Sequence, residues 1–420
     1  MRRPLRFPVV FSLSKPLGLA LAGTLAAIAP LRAQAPQPPV EETDALVARL
    51  VEESQKHKVS RKADPKDPVW QAERYASGLA DDISLFNQWM IEIVRAYAVR
   101  GDAAEAAYVA DQLPGAGSPL AHAELALVHA RRRENAAAEQ HLTVAQAGLS
   151  SASRSQADLV RSRCAHALHL MNRGHEAAAL EARLEELELL HLETHLQKEG
   201  LRPALTLKQA QERLALVKAK GVDATRCRYL LACARRHFEF GEKEKGLPFL
   251  PEVGNLASAN GLPPAQHVLL DLARVAWAAG QKEDARKSMN LFLKCCGAYA
   301  DHAEWKALYI ADAAALLVDW QEQDEARAWL KQAESGLPKV FVLDAPTPIL
   351  AVGRQWERLD GAAAGDRFAT MAAQAGMAHP HPRAQAGAAV QVCLFYADAG
   401  RPLPEAIARI LSQESQEGSR

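Results

Sequence analysis

The chain has 420 residues, 49% hydrophobic and 24% charged, with 50 Lys+Arg balanced by 50 Asp+Glu. That balance excludes a strong field toward nucleic acid or an anionic membrane. About one residue in five is alanine and only 6% are aromatic, which favours helix and excludes an all-β fold, because strands are built from β-branched and aromatic residues.

Residues 1–35 read as a secretory signal peptide. Arg2, Arg3, Arg6 and Lys15 precede an apolar run from Leu17 to Ala29, and Ala33-Gln34-Ala35 supplies a small-x-small cleavage pattern. The run is too short to span a bilayer, and no cysteine precedes Cys164 to carry a lipid anchor at this site. The expected product is exported, periplasmic or secreted, with no integral membrane segment in the mature chain. Cleavage leaves 45 basic and 50 acidic residues, a net charge of −5, which further disfavours nucleic acid.

Residues 36–68 form a tether, Pro-rich at Pro36, Pro38 and Pro39, with a short helix over 42–57 and a charged end at Asp64-Pro65-Lys66-Asp67-Pro68. From Val69 onward helix-length segments alternate with short breaks. Proline marks helix starts at Pro119, Pro263-Pro264, Pro348 and Pro382, and Asp81-Asp82 complements a helix dipole.

The breaks fall into register. Gly101, Arg133, Gly174, Gly241, Gly280, Gln321, Asp360 and Gly400 are separated by 32, 41, 67, 39, 41, 39 and 40 residues. A period near 40 is the mark of stacked helical pairs. Seven positions before these anchors stand Val94, Ala126, Ala167, Ala234, Ala273, Ala314, Gly353 and Cys393, most of them small, as close helix packing requires. After the anchors an i, i+4, i+7 stripe recurs, as in Ala106, Ala110 and Leu113; Ala138, Leu142 and Ala145; Ala285, Met289 and Phe292; and Ala326, Leu330 and Ala333. The packing residues expected from this register include Ala106, Ala126, Ala167, Ala234, Ala273, Ala285, Ala314 and Ala326.

Arg100-Gly101-Asp102-Ala103-Ala104-Glu105-Ala106 and Gly280-Gln281-Lys282-Glu283-Asp284-Ala285 resemble the turn between the two helices of the tetratricopeptide-repeat (TPR) family. The resemblance covers roughly residues 85–410, with degenerate repeats nearer 40 than 34 residues and most of the family's Trp and closing Pro missing. It implies an all-α fold, an α-solenoid of about eight helix-turn-helix units in a right-handed superhelix, whose concave groove binds a peptide or protein and carries no catalysis. The interval from Gly174 to Gly241 departs from the period. It is read as a long charged helix over 175–198, a break at Gly200-Leu201-Arg202-Pro203 and a helix near 204–219. The expected organisation is therefore an N-terminal stack over 69–200, an irregular joint over 201–220, a C-terminal stack over 221–415 and a disordered tail over 416–420.

Candidate chemistry is sparse. His191 and His195 lie i, i+4 on one helical face, a spacing that can bind metal, but no third ligand is identifiable and carboxylates surround them. His166 and His169 beside Cys164 read as structural, and His379-Pro380-His381-Pro382 as a loop. The six cysteines form no C-x-x-C pair; Cys295-Cys296, near a helix end, could form a strained, reducible disulfide. No nucleophile elbow, P-loop or dinucleotide fingerprint occurs, and Gly361 to Gly365 reads as a helix start. The seven tryptophans are scattered, which suits packing between helices. The expected function is a non-catalytic, exported scaffold that binds a protein or peptide partner and needs no cofactor. The alternative is a secreted helical-toroid enzyme acting on polysaccharide, and contact between the first and last helical pairs discriminates in its favour.

Overall fold

The computed structural model describes residues 64–412, apart from residue 65 and residues 203–205, 221–222, 261–262, 297–302 and 338–345. The expected signal peptide, the 42–57 helix and the 416–420 tail lie outside the described residues. The described regular structure is all helical, without strands.

Helix α1 (Pro68–Ala76) starts on proline, and the Asp67 side chain caps it by accepting from the Val69 N–H at 2.9 Å. The chain continues through α2 (Ile83–Arg100), α3 (Ala103–Asp111), α4 (Gly117–Arg131), α5 (Asn135–Ala147), α6 (Arg154–Leu170) and α7 (Gly174–Glu181). Then come α8 (Glu186–Lys198), α9 (Leu207–Lys220), α10 (Asp223–Glu239), α11 (Lys243–Gly246) and α12 (Phe249–Asn260). The last are α13 (Pro263–Ala278), α14 (Lys282–Cys296), α15 (Ala303–Asp319), α16 (Gln323–Gly336), α17 (Pro346–Asp360), α18 (Ala362–Met377), α19 (Pro382–Asp398) and α20 (Glu405–Ser412).

A left-handed residue terminates each first helix of these pairs. Six fall on the sequence anchors, at Gly101, Arg133, Gly241, Gly280, Gln321 and Gly400, with φ between +63° and +103°. The other two are Asn172, two residues before Gly174, and Gly361, one after Asp360. The left-handed turn lets the next amide reach back to the helix, as Asp102 N–H does to the Tyr97 carbonyl at 3.0 Å and Glu322 N–H to Leu317 at 2.9 Å. Arg133 and Gln321 bear this conformation without glycine's freedom, at a cost of about 1 kcal/mol each.

The aberrant interval differs from its sequence reading. The expected 175–198 helix breaks after Glu181, where Ala182–Glu185 turn without glycine or proline, so no breaker residue marks the site. Gly200, at φ +71°, then adds a further left-handed junction between α8 and α9. The helix near 204–219 is α9.

All eight small residues before the anchors are buried, as are the four stripes after them. At Gly353 the fit is closest: a β-carbon there would stand 2.6 Å from Cβ of Phe368, a fully buried ring.

The apolar core falls into three clusters. One runs over 120–201, a second over 207–359, and a third joins residues 69–128 to 293–411. The third exists because α1 lies along α19 and the Leu403 N–H reaches the Lys66 carbonyl. The two ends of the described chain therefore pack on each other. This grouping cuts across the expected stacks 69–200 and 221–415. Leu120 belongs to both the first and third clusters, and Leu293, Trp329 and Leu359 to both the second and third. Among the described residues the first and second clusters share none, and the link between α8 and α9 is ionic: Arg213 donates twice to Glu193, with Arg202 3.7 Å from the same carboxylate.

Candidate functional site

The left-handed junctions define positions along each first helix. Nine residues before Gly101, Arg133, Gly280 and Gln321 stand Glu92, Glu124, Asp271 and Asp312; six before Gly101, Gly241 and Gly280 stand Arg95, Arg235 and Arg274. These positions are three apart, so acid and arginine share one helical face. Glu92 accepts from Arg95 at 2.7 Å and Asp271 from Arg274 at 2.7 Å.

The pairs also link across helices. Glu124 on α4 lies 3.2 Å from Arg95 of α2 and 2.7 Å from Arg163 of α6. Glu188 of α8 lies in the field of Arg163 and of Arg228 on α10, and Arg228 in that of Asp271 on α13. On the other side Glu92 feels Asp398 of α19, which accepts from Arg354 of α17. A run of charged side chains of both signs thus extends from α17 through α19 and α2 to α13, with Asp398 and Glu92 meeting in it as like charges.

These charges are not equally satisfied. Burial pushes the Glu124 carboxyl up, but Arg163 and Arg95 outweigh it and hold it below the usual carboxylate range. Glu92 goes the other way: the surrounding protein desolvates it, Arg95 compensates in part, and Glu124 and Asp398 push it further up. It does so although 42% of its side chain meets solvent. Glu188 is raised by burial and by Asp158 and Glu185 against the pull of Arg163. Burial lowers Arg228 despite Asp271 and Glu188.

The histidines read from the sequence do not assemble into one site. His191 stands 3.9 Å from Glu188 and burial lowers its pKa to about 4. His195 lies against the His166 ring at 5.9 Å, and His166 reaches Glu199 at 3.2 Å. His169 meets Glu181 at 2.6 Å, and burial pushes the Cys164 thiol up to about 12. Among the described residues no group of three or more His, Cys, Asp and Glu is placed to hold a metal ion. The side chains of Cys295 and Cys296 lie outside the described residues. His379 and His381 occupy the turn before α19, and Gly361 precedes α18.

Sequence reasoning missed a second constellation. His122, His129 and His141 stack between α4 and α5, with Asp111 and Glu134 at its ends. Spacing could not reveal it, because α4 is buried nearly all round and offers no polar face. The acid and arginine columns could have been found, since they follow from the same anchors as the small residues.

Five of the seven tryptophans are committed to packing. Trp277 and Trp320 stack face to face at 4.2 Å, and the Lys282 ammonium lies over the Trp277 ring. Trp356 is buried, and Trp89 and Trp329 lie against the core. No described helix is long and apolar enough to cross a membrane. Comparison with protein-family models, curated proteins and solved structures gave no match.

Proposed function

We propose that the protein is an exported, TPR-like α-solenoid that binds a protein or peptide partner along its charged first-helix face. The observation that carries this reading is the run of acid–arginine pairs from α17 through α19 and α2 to α13. These side chains lie on packed helices, so they are held in place, yet Arg95, Asp271, Arg274 and Arg354 keep between 37% and 51% of their surface. Rigid, half-exposed charge of both signs suits a polar peptide backbone with charged side chains, and arginine supplies bidentate bonds to carboxylates. Export follows from the sequence of residues 1–35, and the amino terminus of the exported protein should lie at or near Pro36.

Selection from a displayed random-peptide library tests the reading. Enrichment of a consensus that binds the wild type, and binds more weakly when Arg354 is changed to Glu, supports it. A protein that enriches no sequence is not a peptide-binding scaffold.

The packing of α1 on α19 favours a second reading, a helical-toroid enzyme acting on polysaccharide. Glu92 and Glu188 have the raised pKa that a general acid needs. Against it, stacking and burial leave Trp277, Trp320 and Trp356 poorly placed as sugar platforms. Release of reducing ends from a panel of polysaccharides, lost in Glu92→Gln or Glu188→Gln, would establish this alternative.

A further inference from the structure

One of the three arginines that stand six residues before a junction lacks the acid, and a cleft lies beside it. On α2 and α13 the arginine six residues before the junction has an acid three residues earlier, Glu92 for Arg95 and Asp271 for Arg274. On α10 the corresponding position holds Ala232 instead. Arg235, the equivalent arginine, is exposed and makes no ion pair among the described residues. A cleft of about 650 Å³ opens beside it between the C-terminal ends of α10 and α13.

Its walls carry Arg235, Lys243 and Arg274, with the half-buried Phe238 as apolar surface. Lys243 is also exposed and without an ion pair among the described residues. The one lining carboxylate, Glu239, is already held by Arg236 at 2.5 Å. The cleft therefore presents a positive surplus beside an apolar wall, where the repeat pattern elsewhere supplies a carboxylate from within.

We infer that this cleft takes an acidic segment of the protein partner, a glutamate or aspartate carboxylate pairing with Arg235, for which its own helix supplies no acid at Ala232. The guanidinium of Arg235 donates to that carboxylate and Lys243 adds a second cation. A neighbouring apolar side chain of the segment covers Phe238. The inference rests on the peptide-binding reading and names the chemistry of its ligand.

The experiment measures fluorescence anisotropy with a short labelled peptide of alternating Glu and Leu, against a Lys-and-Leu peptide of equal length. The wild type should bind the acidic peptide saturably and the basic one not. Arg235→Glu and Lys243→Glu should each weaken binding by roughly tenfold with unchanged melting temperature, since both side chains are exposed. Ala232→Glu should also weaken it, by restoring the internal pair. Unaltered binding in all three variants overturns the inference, as does complete displacement by inorganic phosphate at equal concentration, which marks a site for free anions. If library-selected peptides bind the wild type and lose affinity only in Arg354→Glu, which lies outside the cleft, the scaffold reading stands and this cleft assignment falls.

Discussion

The imidazoles of His122 and His141 meet nitrogen to nitrogen, their Nδ1 atoms 2.9 Å apart inside the α4/α5 hairpin. Asp111 accepts from His122 Nε2 at 3.0 Å, which leaves His122 Nδ1 as acceptor and makes His141 the donor. His129 stacks on His141 and donates to Glu134. Burial, with His122 and His129 beside it, holds the His141 pKa well below its ordinary value.

Acid should therefore destabilise this half of the molecule. In the folded chain His141 stays neutral, and burial lowers His166 and His191 to about 4. In the unfolded chain each titrates near 6.5. Below that pH the unfolded state binds more protons, so stability is full above about 6.5 and falls as pH drops toward about 4. The slope is at most about 1.4 kcal/mol per pH unit for each histidine. Denaturant unfolding from neutral pH to about 4 checks it, and His141→Leu should flatten the profile. A pH-independent midpoint would show that the three rings titrate in the folded chain as they do in the unfolded one.

Glu92 and Glu124 should respond oppositely to neutralisation. Glu92 is raised above its unfolded value, so its ionised form costs stability near neutral pH. Glu92→Gln should leave the melting temperature unchanged or raise it slightly. Glu124 is held low by two arginines, and Glu124→Ala leaves both without their shared acceptor. The arginines remain about a third exposed, so the cost should be about 2 kcal/mol, below that of a fully buried pair.

Much of the fold was legible because left-handed turns and tight contacts both demand particular residues. A chain reversal after a helix selects glycine, and close helix contact selects alanine, so Gly101 with Val94 and Ala106 fixed a register without any view of the third dimension. Besides the His122, His129 and His141 stack, three features were not legible. The break at Ala182–Glu185 uses no breaker residue. The packing of α1 on α19 pairs stripes far apart in sequence, Val69, Ala72 and Ala76 with Ala389, Val392 and Cys393, and each stripe alone reads as an ordinary amphipathic helix. The charge run depends on arginines such as Arg163 reaching a neighbouring helix, which no spacing within one helix announces.

Overpacking the small column should be costly. Gly353→Ala drives a methyl into Phe368, whose ring is fully enclosed and cannot move away. The expected loss is about 1–3 kcal/mol, seen as a lower denaturation midpoint with unchanged helical signal. Ala273→Leu, at the same register position with no exposed surface, should lose a similar amount. Wild-type midpoints in both would mean that the register does not describe the contacts.

The meeting of the chain ends should contribute measurably to stability. Val69→Asp places a charge in a site with 1% exposure, between α1 and the cluster that includes α19. It should detach α1 and lower the melting temperature by several degrees. A fragment beginning at Asp223 should remain helical but fall below the full chain in stability, because the α19 surface that α1 covers becomes exposed. Equal stability of fragment and full chain would assign no energetic role to the closure.

The link between α8 and α9 should be the salt-sensitive point of the structure. Elsewhere neighbouring clusters share apolar residues, whose attraction strengthens or holds as salt rises. Between α8 and α9 the Glu193 carboxylate, with 4% of its side chain exposed, accepts from Arg213 at 2.9 Å and lies near Arg202, which itself bonds Glu181 at 2.7 Å. The arginines keep about a quarter to a third of their surface, so salt can reach them. At about 1 M salt the screening length falls to about 3 Å. Hydrogen exchange of α9 amides should then accelerate while those of α1 and α19 do not. Glu193→Gln keeps an acceptor but removes the charge, so it should lose about 1–3 kcal/mol at low salt and abolish the salt dependence. Limited proteolysis should cut first beside the exposed Gly200, and faster in high salt. Uniform acceleration across α1, α9 and α19 would show instead that the chain opens as one cooperative unit.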